Sequence, residues 1–130
     1  MTPAVHNLFE AIPYPLQEEF LQTLAESGAV RIERIVSDGH ATPAGKWYDQ
    51  LWDEWVLLVS GGATLLFGSG AAPLVLKPGD HVMIPAGCRH RVESTDSGQK
   101  TIWLAVHFSG SNVNISGLDQ DAAAVLPSDQ

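Results

Sequence analysis

Turn-forming residues divide the sequence between residues 29 and 108 into short apolar runs, spaced about 8 to 12 residues apart. Gly61-Gly62 lies between two such runs and is typical of a hairpin turn. Runs this short favour antiparallel pairing, because parallel strands need long crossover connections. The pattern therefore predicts an all-β sandwich or barrel. The expected strands are Val30–Ser37, Trp55–Val59, Ala63–Phe67, Leu74–Leu76, His81–Ile84, Arg89–Ser94 and Thr101–Phe108.

The two ends of the chain follow other patterns. Pro15 suits the first turn of a helix, and Leu16, Phe20 and Leu24 then recur every four residues, as on the apolar face of an amphipathic helix. Gly28 follows as a C-terminal stop. The sequence after Phe108 is polar and has no sustained period. We expect an N-terminal arm with a short α-helix at 1–28, a β domain at 29–108 and a loosely ordered tail at 109–130.

The charge balance excludes several classes of partner. Seven basic residues against fifteen acidic ones give a net charge of −8. Nucleic acids and anionic membrane surfaces both need a basic footprint, so neither is expected as a partner. No apolar run approaches the roughly 18 residues that span a bilayer, and the N-terminus lacks the pattern of a secretory signal. The single cysteine, Cys88, fits a reducing compartment, and we expect a cytoplasmic protein.

Two motifs resemble those of the cupin superfamily. Residues 79–90, GDHVMIPAGCRH, match the second cupin motif, G-x5-P-x-G-x2-H, at every fixed position. That motif ends in an Asn, where this chain has Ser94. Residues 54–61, EWVLLVSG, match the second half of the first motif, E-x6-G. The resemblance implies a cupin-type β-barrel, or jelly roll, in which His90 points into the barrel towards a divalent metal.

The first half of the first motif departs from the cupin pattern, H-x-H followed by three or four residues and Glu. Counting back from Glu54 over three residues puts Tyr48 and Gln50 at the two His positions, and over four residues Trp47 and Asp49. Alternation along a strand favours the first register, because it puts Tyr48 and Gln50 on the face of Glu54. Asp49 joins that face only through a bulge. The segment resembles a group of small bacterial cupins with Tyr-Asp-Gln in place of the histidines.

The replaced histidines weaken the expected metal site. Gln50, Glu54 and His90 offer one amide oxygen, one carboxylate and one imidazole, whereas the usual cupin set has three imidazoles and a carboxylate. We expect a divalent metal, Mn, Fe, Ni or Zn, to bind more weakly here than in the usual set. The alternative is a metal-free polar pocket in which the same side chains bind one another and water.

Other side chains are candidates around this site. Glu54 and Tyr48 are candidate catalytic residues, able to move a proton. His107, near the end of the last expected strand, is either a substitute ligand or a hydrogen-bonded interior histidine. Arg34 is a candidate anion-binding residue only if its face of the strand points inwards. The ligand-binding candidates are Asp49, Trp52, His107 and Arg34.

The function expected from these residues is the binding of a small polar molecule in the barrel. The resemblance implies a metal-dependent enzyme of isomerase, lyase or oxygenase type. The alternative is a non-catalytic binding or sensing barrel without metal. The resemblance to small cupins implies a dimer formed through an aromatic sheet face. Trp55 lies on the face opposite Glu54 and could form part of such an interface. We therefore expect a homodimer.

Overall fold

The structure is a computed structural model, and it describes residues 1–109. The described residues form eight antiparallel strands and no helix, which confirms the all-β class. Within this range no helix is long and apolar enough to cross a membrane. The expected tail lies outside the described residues, apart from Ser109, whose N–H donates to the carbonyl of Ala29 at 2.7 Å. The strands are β1 (Phe20–Ser27), β2 (Val30–Ser37), β3 (Asp53–Ser60), β4 (Ala63–Phe67), β5 (Leu74–Leu76), β6 (His81–Ile84), β7 (His90–Thr95) and β8 (Thr101–Phe108).

The strands form two sheets that enclose the core. One sheet has five strands in the order β1-β2-β8-β3-β6, and the other has three in the order β5-β4-β7. Alternate residues of β3 and β8 point inwards, and Leu58 and Ala105 are fully buried there. Leu65 and Leu76 meet them from the smaller sheet in the same apolar cluster. Burial of each of these leucine side chains stabilises the fold by about 1.5–3 kcal/mol.

The prediction of an N-terminal helix is wrong. Phe20–Ser27 forms β1, which pairs with β2 from Phe20↔Val36 to Ser27↔Val30 through a tight turn at Gly28. A bulge between Thr23 and Ala25 shifts the register, and Leu24 is left 44% exposed rather than buried on an apolar face. A short isolated helix is only marginally stable in water, whereas β1 satisfies its main-chain groups on β2.

Residues 8–11 of the N-terminal arm lie against the outer face of β2. Arg34 projects from that face and is only 3% exposed. Its Nη1 donates to the carbonyls of Leu8 at 2.9 Å and Glu10 at 2.6 Å, and its Nη2 donates to that of Ala11 at 3.4 Å. The guanidinium also lies over the ring of Phe20. These contacts hold residues 8–11 against the sheet.

The turn between β3 and β4 brings two strand ends together. Gly61 has a φ of 86°, in the left-handed region that favours glycine. A Cβ at Gly61 would meet the Cα of Thr101 at 2.6 Å. Thr101 is fully buried, and its hydroxyl donates to the carbonyl of Gly62 at 3.1 Å while accepting from its N–H at 3.2 Å. Glycine is therefore required at position 61 by both conformation and space.

Candidate functional site

A cavity with a volume of about 100 Å³ lies within the barrel. Most of its wall area is apolar, and Val56, Leu65 and Trp103 are among the lining residues. Its polar lining combines three carboxylates with two imidazoles, a phenol and an amide. Those residues are Glu19, Glu33, Tyr48, Gln50, Glu54, His90 and His107.

Strand register builds one side of this site as a row across three neighbouring strands. His107 on β8 lies opposite Arg31 on β2 and opposite Glu54 on β3. Nη2 of Arg31 donates to Nδ1 of His107 at 3.0 Å. Because a guanidinium only donates, Nδ1 is unprotonated and the proton of the neutral ring is on Nε2. Nε2 therefore donates to Oε2 of Glu54, at 3.1 Å.

His90 reaches the same carboxylate from the other sheet. Its Nδ1 lies 2.9 Å from the carbonyl of Cys88, and since a carbonyl only accepts, Nδ1 carries a proton. In the neutral ring Nε2 is then an acceptor, and it lies 3.8 Å from Oε1 of Glu54. Both side chains are buried, at 5% exposure for His90 and 7% for Glu54. In the neutral form of His90, two acceptor atoms therefore face each other at the cavity.

Tyr48 lies at the mouth of the cavity and is held against His90. The two residues exchange main-chain hydrogen bonds of 2.7 and 3.0 Å, and their ring centroids are 5.5 Å apart. Burial, followed by the negative charge of Glu19, raises the pKa of Tyr48 above its ordinary value, and Glu54 adds to the shift. The phenol is thus a neutral hydrogen-bonding group at physiological pH.

Of the two possible registers of the first motif, the one with Tyr48 and Gln50 faces the cavity, and the one with Trp47 and Asp49 does not. Tyr48, Gln50 and Glu54 line the cavity, and the main-chain carbonyl of Gln50 accepts from the N–H of Gly87 at 2.8 Å. Asp49 is exposed and does not line it. Trp47 lies elsewhere, with the guanidinium of Arg89 5.1 Å from its ring centroid.

Two further candidates lie outside this cavity. Trp52 stacks on the ring of His107 at 5.6 Å and lines a neighbouring cleft on the other side of that histidine. Arg34 is not among the cavity residues, because its guanidinium binds the N-terminal arm on the opposite face of β2. The face of β2 that points inwards is the one that carries Glu33 and Ile35.

Three residues of the candidate site are not predicted from the sequence. Glu33 is 8% exposed, and its Oε1 lies 3.7 Å from Nε2 of His107. Arg31 contacts both of these side chains. Glu19 lines the cavity and accepts a hydrogen bond of 2.5 Å from the hydroxyl of Ser37. The available signal was the alternation of Arg31, Glu33 and Ile35 in β2, which places charged groups on one face with an apolar residue.

The donor set does not fit the metal centre that the cupin resemblance implies. Cupins often bind divalent metals through three imidazoles and one carboxylate, but among residues 1–109 only the neutral ring of His90 offers an unprotonated nitrogen to this cavity. Nδ1 of His107 accepts from Arg31, and its Nε2 donates to Glu54. Among residues 1–109, no group of three His, Cys, Asp or Glu side chains is arranged to hold a metal ion.

The chain is similar to several proteins of known structure. A protein from Ralstonia eutropha JMP134, which its name proposes to be a mannose-6-phosphate isomerase, is 47% identical over 83% of this chain and 100% of its own, with a TM-score of 0.79. A cupin superfamily protein from Desulfitobacterium hafniense DCB-2 is 21% identical over 76% of this chain and 84% of its own, with a TM-score of 0.62. The DMSP lyase DddQ from Ruegeria pomeroyi DSS-3 is 23% identical over 74% of this chain and 49% of its own, with a TM-score of 0.55.

Family models and curated proteins give no match to this sequence. The structural neighbours and the two motifs nevertheless agree, since Glu54 and His90 of those motifs meet at one cavity inside an antiparallel β-barrel. The chain belongs to the cupin superfamily.

Proposed function

We propose that this cupin binds a small polar molecule in the barrel cavity and that Glu54 and His90 hold its polar end. The observation that carries the proposal is the meeting of Oε1 of Glu54 and Nε2 of His90, 3.8 Å apart, at the cavity. That distance is too long for a direct hydrogen bond, so a donor group of a ligand can satisfy both atoms. The mostly apolar walls and few convergent polar groups are those of small-molecule sites in general.

The same two groups can move a proton. Nε2 of His90 has a lone pair that can accept a proton from a bound molecule. The carboxylate of Glu54 is oriented by the hydrogen bond from His107, which fixes the atom that faces the ligand. Isomerisation and elimination both need a positioned base and acid, so we propose one of these reaction types. The name of the Ralstonia protein, which proposes an isomerase, supports the first of these reaction types.

The competing proposal is a binding or sensing barrel without catalysis. Glu33 and Glu54 are both within 4 Å of Nε2 of His107, and this network would equally serve to bind a ligand tightly. Turnover separates the two proposals. An enzyme converts the ligand, and Glu54→Gln slows that conversion more than it weakens binding. A sensor returns the ligand unchanged.

The substrate class in the name of the Ralstonia protein does not fit this cavity well. A sugar phosphate needs cationic side chains for its phosphate. Among residues 1–109, neither Arg nor Lys lines the cavity, which instead has three glutamates. We therefore do not propose mannose 6-phosphate as the ligand. The homodimer and the cytoplasmic location stay predictions, whereas the divalent metal expected from the sequence is not proposed, because the donor set of the described residues does not fit it.

Binding is tested by nuclear magnetic resonance on the 15N-labelled full-length chain with a panel of small polar compounds. We expect amide shifts confined to residues around Glu54, His90 and His107, and an affinity at least about tenfold weaker in Glu54→Gln and His90→Leu. Matched controls are Glu93→Gln and His81→Leu, because both residues are exposed and neither lines the cavity. Shifts that map outside the barrel, or unchanged affinity in both cavity variants, would overturn the proposal.

A further inference from the structure

We propose that the ligand of this cavity is a small primary alkylammonium, with its N–H groups between Glu54 and His90 and its alkyl part against the barrel wall. This inference rests on the proposed function, because it names the chemical class of the molecule that the cavity binds. Three properties of the cavity lead to it: two facing acceptors, an excess of negative charge and an apolar interior.

The two acceptors require a group with more than one donor hydrogen. Nδ1 of His90 donates to the carbonyl of Cys88, which leaves Nε2 as an acceptor. On Glu54, Oε2 already accepts from His107, so Oε1 is the oxygen left for a ligand. Nε2 of His90 lies 3.8 Å from Oε1 of Glu54, which is beyond hydrogen-bond distance, although the side chain is only 6% exposed. A primary ammonium has three N–H donors and can reach both atoms at once.

The charge of the lining selects a cation over a neutral donor. Glu19, Glu33 and Glu54 all line the cavity. Arg31 lies near Glu33, with its Nε 3.5 Å from Oε2, but its guanidinium is committed to that carboxylate and to His107. Among residues 1–109, no Arg or Lys lines the cavity beside these three glutamates, so the formal charge of the lining is negative. The raised pKa of Tyr48 at the cavity mouth, caused partly by Glu19 and Glu54, reflects the same negative field.

The remaining surface of the cavity suits a short hydrocarbon chain. Leu65 on β4 and Val92 on β7 line it from the smaller sheet, while Val56 and Ile84 line it from the larger one. The cavity has a volume of about 100 Å³, and apolar cavities of about 150 Å³ admit a molecule the size of benzene. That space suits an alkyl group of a few carbons.

The test uses four probes that share a butyl or propyl chain and differ at one end. These are n-butylammonium, n-butanol, butyrate and butyltrimethylammonium, and mannose 6-phosphate is added as a fifth probe. Binding to the full-length chain is followed by amide shifts and by calorimetry. We expect n-butylammonium to bind at least about tenfold more tightly than n-butanol, and butyrate and mannose 6-phosphate to bind least. Butyltrimethylammonium has the charge without the N–H donors, and we expect it to bind more weakly than n-butylammonium.

Two variants locate the effect, and the outcomes separate the two proposals. Glu54→Gln and Glu33→Gln should each weaken n-butylammonium binding by a larger factor than n-butanol binding, with Glu93→Gln as the control. Stronger binding of butyrate, n-butanol or mannose 6-phosphate at the cavity would overturn the alkylammonium inference and leave the proposed function standing. Equal binding of butyltrimethylammonium would overturn the role of the facing acceptors. If no probe shifts the amides around the cavity, while a broader panel of polar compounds does, the inference alone fails. If neither panel does, both fail.

Discussion

The contact between Arg34 and the N-terminal arm gives a quantitative prediction about stability. Arg34→Met keeps much of the apolar length of the side chain and removes the guanidinium. Two of its hydrogen bonds are short, at 2.9 Å to Leu8 and 2.6 Å to Glu10. Hydrogen bonds from a charged donor contribute about 1.5–3 kcal/mol each. We take the low end for both, because the released carbonyls can regain water, and expect a loss of about 3 kcal/mol in the free energy of unfolding.

Urea unfolding followed by tryptophan fluorescence measures this loss, and Arg89→Met is the matched control because Arg89 is exposed. Hydrogen exchange supplies a local readout. The N–H of Glu10 donates to the carbonyl of Asn7 at 3.1 Å, so the arm should exchange faster in Arg34→Met and not in the control. A loss below about 1 kcal/mol, with the arm still protected, would refute the assignment of Arg34 as the residue that holds the arm.

Three further predictions concern a turn, a titrating carboxylate and the metal. Gly61→Ala should destabilise the fold by about 1–3 kcal/mol from backbone strain alone, and by more because its Cβ meets Thr101; an unchanged thermal midpoint would contradict this. The main-chain N–H of Lys77 donates to Asp80 at 2.8 Å and lowers the pKa of that carboxyl. The ionised Asp80 therefore contributes to the free energy of unfolding above the ordinary pKa of Asp, and this contribution is lost as the pH falls through the lowered pKa. In Asp80→Asn the urea midpoint should therefore depend less on pH between about pH 5 and pH 2. The same pH dependence of the urea midpoint in the wild type and in Asp80→Asn would count against the hydrogen bond. Elemental analysis of untagged protein should give clearly less than one first-row metal per chain, and near-stoichiometric metal that is lost in His90→Ala would contradict the donor assignment.

Much of the β architecture could be predicted because its signals are local. Alternation along Val30–Ser37 and the glycines at 61–62 depend only on neighbouring residues, and the strand and turn were found where expected. β1 could not be predicted in the same way. Its apolar spacing fits a helix, and only the pairing with β2 makes the extended form more stable.

Part of the candidate site could also be predicted, because some of its residues belong to local sequence patterns. The two motifs brought Glu54 and His90 into consideration, because each motif is a local pattern in the sequence. Glu33 and Arg31 have no motif, and their place beside His107 depends on the register of β2 on β8. The direction of Arg34 depended on which face of β2 points inwards, and that face is decided by neighbouring strands and not by the alternation itself.

The protonation of the two imidazoles tests the account most directly. Long-range 15N correlation spectra of the full-length chain at about pH 8.5, where histidine is ordinarily neutral, report which nitrogen of each ring carries the proton. We predict opposite tautomers, with the proton on Nδ1 of His90 and on Nε2 of His107, and a shift of Nε2 of His90 when n-butylammonium is added. A proton on Nε2 of His90 in the neutral ring would contradict the account, because the cavity would then lack the second acceptor that faces Glu54.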